Sequence, residues 1–339
     1  MEKNKMLHLT GYFDRNFGDD MMMKLVVRSL PEVTFAVEEA VDSPILPESN
    51  VVALSPQKCA ALQKLVVTGS GFMIDSREAL ITELVWFLKG RSPGDFCLGC
   101  NMEPLDDPVK RFLIGRKMNQ FKLITCRDSV SYGWLRCHTR RPEIHHYPDL
   151  LFSIPDEWLP VQSKPDKLGI SLLHRAGDRE DCSHYRTMAK IADDWIRETG
   201  KDVILMAFDT GRENDLFACN AVRALMEYPQ KVQIVAHHDC TQIPEAFSRC
   251  EKIIAGRFHA MVLALRMRIP VYPLIFREKG RNLLKDLDFP YAFCEMDAID
   301  TASVRAFLLG SQIPYQLDKE ILSRAKEHTR KLSEYIAEN

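Results

Sequence analysis

The segment AGRFHAMVLALRMRIPVYPLIF (255–276) carries two chemically able side chains at the mouth of a helix that is otherwise almost wholly apolar. Arg257 has the planar fork that suits a carboxylate or a phosphate. His259 can give or take a proton near neutral pH. Such groups at the start of a buried helix cost free energy unless they are used. The free N–H groups of the same helix start favour an anion there. Neither side chain is needed to fill a core, so the sequence assigns Arg257 to anion binding and His259 to proton transfer. The competing reading is a structural ion pair for Arg257 and a capping role for His259.

Three further loops follow strand-like runs. In GYFDRNFGDD (11–20), Asn16 and Gly18 shape the loop, and Asp19 or Asp20 stands where a helix N-cap belongs. The helix start behind it can receive an anion, or the loop is an ordinary strand-to-helix turn. In TGSGF (68–72), Gly69 and Gly71 around Ser70 permit close backbone approach to a ligand, or form a tight turn. In CRDSVSYGWL (126–135), Arg127 ends a strand and Asp128 or Ser129 caps the next helix. That arginine can clamp an anion or pair with a nearby carboxylate. Cys97 and Cys100 form a lone CxxC with no second pair at zinc spacing, so they read as buried, reduced thiols.

These loops need a frame to hold them, and strands alternate with helices along the chain. Strands are expected at 6–13, 33–40, 50–55, 64–71, 95–100, 121–128 and 144–152. Helices are expected at 19–30, 77–89 and 108–120. SIPDEWLPVQSKPDK (153–167) has three prolines and no periodicity, and reads as a linker. Beyond it, strands at 168–174, 202–209, 232–238, 252–256 and 271–276 alternate with helices at 181–199, 214–227, 243–250 and 259–268. A charged helix is expected over 317–337. The pattern predicts an α/β protein of two doubly wound, Rossmann-like domains facing a central cleft. The boundaries are 1–155 and 156–315, with a C-terminal helix over 316–339 that packs back on the first domain. Ligands of such sheets bind beyond the carboxyl ends of the strands, where the four loops lie.

The 339 residues include 45 Lys and Arg against 47 Asp and Glu, a net charge of -2. No nucleic-acid partner is expected from that balance. The N-terminus reads as a first strand and not a signal peptide, and no run approaches the length of a spanning helix. Ten scattered cysteines fit a reducing compartment. The expectation is a soluble cytoplasmic protein, compatible with peripheral attachment to a membrane; its oligomeric state is left open.

The order of Asn16-Phe17-Gly18-Asp19, a glycine-rich strand end, Arg127-Asp128-Ser129, Pro148-Asp149 and Arg257-Phe258-His259-Ala260 resembles the polysaccharide pyruvyl transferase family. The resemblance runs over residues 8 to 290. One departure is Gly69-Ser70-Gly71, where the family often has a plain Gly-Gly. The resemblance implies a glycosyltransferase-B-like fold and transfer of an enolpyruvyl unit from phosphoenolpyruvate to a sugar, closed as a pyruvate ketal. The acceptor would be a sugar of a polysaccharide or a lipid-linked glycan precursor, in exopolysaccharide biosynthesis. It further implies His259 and Arg257 as the catalytic pair. Substrate binding would use Asn16, Gly18, Asp19, Gly69, Ser70, Gly71, Arg127 and Asp149. The first domain would take the acceptor and the second the donor. No cofactor and no metal are expected; a metal would need carboxylates such as Asp19, Asp20 and Asp149. The alternatives are a nucleotide-sugar glycosyltransferase on the same fold, with Asp209 and Glu213 at the ribose, and a non-catalytic glycan-binding relative.

Overall fold

The computed structural model describes residues 5–69, 77–88, 93–102, 107–162, 164–175, 177–180 and 182–338. Its contacts divide the chain into two compact units. Unit 1 comprises Met1–Phe13, Met21–Ser153 and Lys319–Asn339, and unit 2 comprises Asp14–Asp20 and Ile154–Asp318.

In chain order the first elements are β1 (Lys5–Thr10), α1 (Phe17–Ser29), β2 (Val33–Glu38), β3 (Val51–Leu54), α2 (Pro56–Ala60) and β4 (Gln63–Val67). They are followed by α3 (Arg77–Leu88), β5 (Phe96–Cys100), α4 (Pro108–Met118), β6 (Leu123–Cys126), α5 (Ser129–His138) and β7 (Glu143–His146). The seven strands form one sheet in the order β3-β2-β1-β4-β5-β6-β7, and every pairing is parallel. β5 and β6 are buried along their whole length, as strands covered on both faces must be. Gly99 in β5 has φ 75°, at an irregularity in the pairing with β6. Side chains rarely adopt that backbone conformation, and a Cβ there would also press on the end of the Met22 side chain, 2.6 Å from Cε. The flanking Cys97 and Cys100 are fully buried, and burial pushes the Cys97 thiol well up.

Unit 2 contains β8 (Lys167–Leu172), α6 (Ser183–Thr199), β9 (Val203–Ala207), α7 (Asp215–Leu225), β10 (Val232–Ala236) and α8 (Gln242–Ser248). Then come β11 (Cys250–Ala255), α9 (Phe258–Arg266), β12 (Val271–Ile275), α10 (Glu278–Asp286), β13 (Cys294–Glu295) and α11 (Thr301–Leu309). The sheet order is β10-β9-β8-β11-β12-β13, again all parallel. α6 buries Met188, Ile191, Ala192, Trp195 and Ile196, a stripe at helical spacing, and stops at Gly200 with φ 71°. In α9 every residue from His259 to Leu265 is buried.

The chain ends in α12 (Lys319–Ala325) and α13 (Glu327–Glu338), both in unit 1. α13 packs on β5 and β6, with Tyr335 edge-on to Phe96 at 5.6 Å.

Element by element, the alternation read from the sequence is present, with three differences. The terminal helix is two helices. The strand expected over 144–152 stops at His146, and Leu150–Ser153 is a 3-10 turn. α2, α10, β13 and α11 were not anticipated; α2 is five residues long, EKGRNLLKD is mostly polar, and a two-residue strand has no period to detect.

Candidate functional site

Both sheets have the strand order in which successive crossovers run first to one side of a central strand and then to the other. The reversal lies between β1 and β4 in unit 1 and between β8 and β11 in unit 2. Loops diverge at such a point and leave a crevice beyond the strand ends. The Gly69 loop follows β4, and Arg257 follows β11. Ser70 and Gly71 lie outside the described residues.

In unit 2, Arg257 occupies the N-cap position of α9. Its Nε donates to Asp215 Oδ2 at 2.8 Å and its Nη2 to Asp215 Oδ1 at 2.5 Å, while Nη1 bonds the Glu213 carboxylate. Asp215 is the first residue of α7 and is fully buried. It also accepts the backbone N–H groups of His174 and Asp209, each at 3.0 Å. Burial alone would lower the Arg257 pKa; the two carboxylates outweigh it and hold it above the usual arginine range. Glu213 is about half exposed. Burial would raise its pKa, but Arg257, with Lys279 and Arg277, holds it down.

His259 lies in the first turn of α9, edge-on to Phe258 at 5.1 Å and 7% exposed. Its ring rests on Gly18: a Cβ built there would fall 1.6 Å from His259 Nδ1. Any residue but glycine at position 18 would displace the imidazole. Asn16 caps α1, its Oδ1 accepting from Gly18 N at 3.0 Å and Asp19 N at 3.4 Å. This corrects the expectation that Asp19 or Asp20 caps this helix, which begins two residues earlier than anticipated.

Asn16 also donates from Nδ2 to Asp209 Oδ2 at 3.2 Å, and Phe17 N donates to the Phe208 carbonyl at 2.8 Å. Phe17 packs edge-on to Phe208 and His237, and Asp20 Oδ2 meets His237 Nε2 at 2.8 Å. The whole Asp14–Asp20 segment is thereby fastened to the carboxyl ends of β9 and β10. Asp209 Oδ1 accepts from Gly211 N and Glu213 N of its own loop. Burial raises the Asp209 pKa against the opposing pull of Asn16 and Arg257.

The loop after β8 contributes residues that sequence reading passed over. His174 Nδ1 meets Tyr185 OH at 2.9 Å. Arg175 bonds Asp178 and Asp297 and reaches His184 Nδ1 at 3.3 Å. Phe276, beyond β12, has the guanidinium of Arg175 on its ring at 5.7 Å and that of Arg277 at 5.6 Å. The signal was available: HRAGDRED directly follows an apolar strand. The ligand atoms of Asp178, Cys182 and His184 lie within 4.8 Å of one another. Arg175 bonds two of these three residues, so a guanidinium already provides the positive charge a metal would bring. Asp19, Asp20 and Asp149 do not form a common ligand set among the described residues.

Unit 1 holds the second cluster. Arg127 follows β6 with a side chain 2% exposed. It donates to Asp149 Oδ2 at 3.0 Å, to the Gly69 carbonyl at 2.5 Å and to Asn101 Oδ1 at 2.9 Å. Asp149 in turn accepts Leu151 N at 3.0 Å. Asp128 is the cap of α5. Behind these loops His328 of α13 is fully buried, with Nδ1 at 2.6 Å from Thr125 Oγ1 and Nε2 at 2.9 Å from the Pro148 carbonyl. Burial lowers its pKa to about 4. For both arginines, the structure contains the carboxylate pair that the sequence left open as the alternative.

Two doubly wound parallel sheets, with polar clusters at the carboxyl ends of their strands, define a glycosyltransferase-B-like α/β protein. The sequence profile of "Polysaccharide pyruvyl transferase" matches residues 16–275, most of the chain, and the protein belongs to that family. Curated protein sequences give no significant match. Among solved structures, the fold is similar to UDP-GlcNAc 2-epimerase from Neisseria meningitidis bound to UDP-GlcNAc, at TM-score 0.62 and 10% identity over 99% of this chain and 100% of that one. It is similar also to the Methanocaldococcus jannaschii UDP-GlcNAc 2-epimerase in complex with UDP-GlcNAc and UDP, at TM-score 0.60 and 11% identity over 98% and 99%. Anabaena Alr3699/HepE in complex with UDP and glucose aligns at TM-score 0.53 and 10% identity over 99% and 100%. Among the described residues, no helix is long and apolar enough to cross a membrane.

Proposed function

We propose that the protein transfers the enolpyruvyl unit of phosphoenolpyruvate to a sugar of a polysaccharide or lipid-linked glycan precursor and closes it as a pyruvate ketal. The observation that carries this reading is the seating of His259 on Gly18, next to Arg257, at the strand ends of unit 2. Unit 2 takes the donor in this reading, and unit 1 the acceptor. The buried Asp215 fixes the plane of the Arg257 fork, and the half-exposed Glu213 occupies the place of the donor's carboxylate until the donor displaces it. His259 protonates C3 of the donor, which leaves an oxocarbenium-like centre at C2. One sugar hydroxyl adds to C2 and returns a proton to His259. A second hydroxyl adds in turn; the C2–O bond to phosphate breaks, and phosphate leaves with that hydroxyl's proton. Arg127 and Asp149 act here by holding the strand-end loops of unit 1 in place.

None of the ten cysteines, all among the described residues, is in a disulfide, which supports a cytoplasmic setting. The nucleotide-sugar alternative needs an open acid for the ribose; Asp209 is committed to its own loop and to Asn16, which leaves that role to Glu213 once it parts from Arg257. The test is phosphate release from phosphoenolpyruvate with candidate glycan acceptors, with UDP-sugars as the control donors. His259→Gln should lower kcat by about 10²-fold or more with little change in donor KM. Nucleoside diphosphate release from a UDP-sugar, without phosphate release from phosphoenolpyruvate, would overturn the proposal.

A further inference from the structure

Residues 107–141 carry nine Lys and Arg (Lys110, Arg111, Arg116, Lys117, Lys122, Arg127, Arg136, Arg140, Arg141) against two Asp (Asp107, Asp128), in a chain whose net charge is -2. Lys110, Arg111, Arg116, Lys117 and Arg136 stand on α4 and α5, and Arg140 and Arg141 on the turn after α5, whereas Arg127 is buried. Arg111, Arg116, Arg140 and Arg141, with His138, line a groove of about 780 Å³ between α4 and the turn after α5. The groove is built: Asn119 Oδ1 accepts the backbone N–H groups of Arg140 and Arg141 at 2.8 and 3.3 Å and pins that turn to the end of α4. Among the described residues, Arg111, Arg140 and Arg141 form no ion pair.

Exposed apolar side chains stand beside the groove, with Phe112 in its lining. Phe112 and Val109, on the same face of α4, are 59% and 53% exposed. The neighbouring α3, joined to α4 by the Glu83–Lys117 pair at 2.5 Å, exposes Ile81, Leu84 and Val85. Large apolar side chains at helical spacing beside unpaired arginines suit one environment: a surface that is anionic at the headgroups and apolar just below them.

We propose that the α3–α4 face of unit 1 docks on an anionic lipid bilayer, with the arginine groove on the headgroup phosphates and Phe112, Val109 and Ile81 dipping into the acyl boundary. The charge complementarity excludes a neutral surface, and the apolar side chains beside the groove distinguish a bilayer from a nucleic acid. Each Lys or Arg at such a surface is worth about fivefold in partitioning. Docking here does not depend on which reaction the protein performs.

The experiment is co-sedimentation of the full chain with vesicles of phosphatidylglycerol and phosphatidylcholine, against phosphatidylcholine alone. The wild type should partition at least about tenfold more strongly into the anionic vesicles. The double variant Arg140→Glu/Arg141→Glu should lose more than about tenfold of that partitioning, and so should the wild type at high salt. Phe112→Asp, which also adds one negative charge, should weaken partitioning while the salt sensitivity remains. All three side chains are exposed, so circular dichroism and Tm should match the wild type. Three results would overturn the proposal: undiminished binding of the double variant to anionic vesicles, preferential binding to a single-stranded oligonucleotide, or a dimer in light scattering that Phe112→Asp dissociates with vesicle binding unchanged.

Discussion

Arg257→Ala should destabilise the protein as well as weaken donor binding. Asp215 is fully buried and receives Nε and Nη2 of Arg257 at 2.8 and 2.5 Å. Removing the guanidinium leaves this carboxylate with the backbone N–H groups of His174 and Asp209. Breaking a buried pair from one side costs about 3–5 kcal/mol, because the remaining charge stays desolvated. Glu213 is half exposed and returns to water, which adds on the order of 0–1 kcal/mol. A loss of about 4 kcal/mol is a large share of the ~5–15 kcal/mol that holds a domain together. At about 2–4 °C per kcal/mol it lowers Tm by roughly 8–16 °C. Calorimetry on Arg257→Ala, Asp215→Asn and the double variant measures the coupling directly. Neutralising Asp215 in the Arg257→Ala background should recover more than half of the loss. An Arg257→Ala protein that melts within about 2 °C of the wild type would refute the reasoning. A structural ion pair was the competing role that the sequence left open for Arg257, and the bonds to Asp215 show that pair.

Gly18→Ala should drive the His259 ring from its seat and cut kcat nearly as far as His259→Gln, with about 1–3 kcal/mol of lost stability; kcat above half the wild-type value would rule the contact out as the one that matters. Glu213→Gln should lower the donor KM by up to about fivefold, since the donor no longer competes with a half-exposed charged partner worth on the order of 0–1 kcal/mol; a raised KM would show that Glu213 aids the donor. His328 has a folded pKa of about 4, below the ordinary histidine value of 6.5. Between those values the unfolded chain binds the extra proton, so stability falls as pH drops through this window, by about 3 kcal/mol in all. His328→Gln should flatten that fall in urea titrations, and parallel curves for the two proteins would sink the idea.

Local pattern alone determined much of this protein. The apolar runs of β5, β6, β9 and β12 announce strands buried on both faces. The stripe Met188–Ile191–Ala192–Trp195–Ile196 announces a helix packed on them. The loops after β1, β4, β6 and β11 stood out because glycines, caps and charges interrupt apolar runs there. These signals are legible because they repeat within a few residues, on the period of the element itself. Where the alternation weakened, at α10 and β13, the reading failed.

Only tertiary structure decided what the marked residues touch. Arg257 meets Glu213 and Asp215, which lie 44 and 42 residues earlier, because the strand order sets β8 between β9 and β11 and brings their end loops to one edge of the sheet. His259 rests on Gly18 because the Asn16 segment joins the ends of β9 and β10, a pairing that nothing in NFGD encodes by itself. Arg127 finds Asp149 and the Gly69 carbonyl for the same kind of reason: its strand and theirs end on one edge. Strand order depends on how whole crossovers pack, a free-energy balance spread over both cores. Sequence can therefore mark an arginine as costly to bury, while the fold selects the carboxylate that neutralises it.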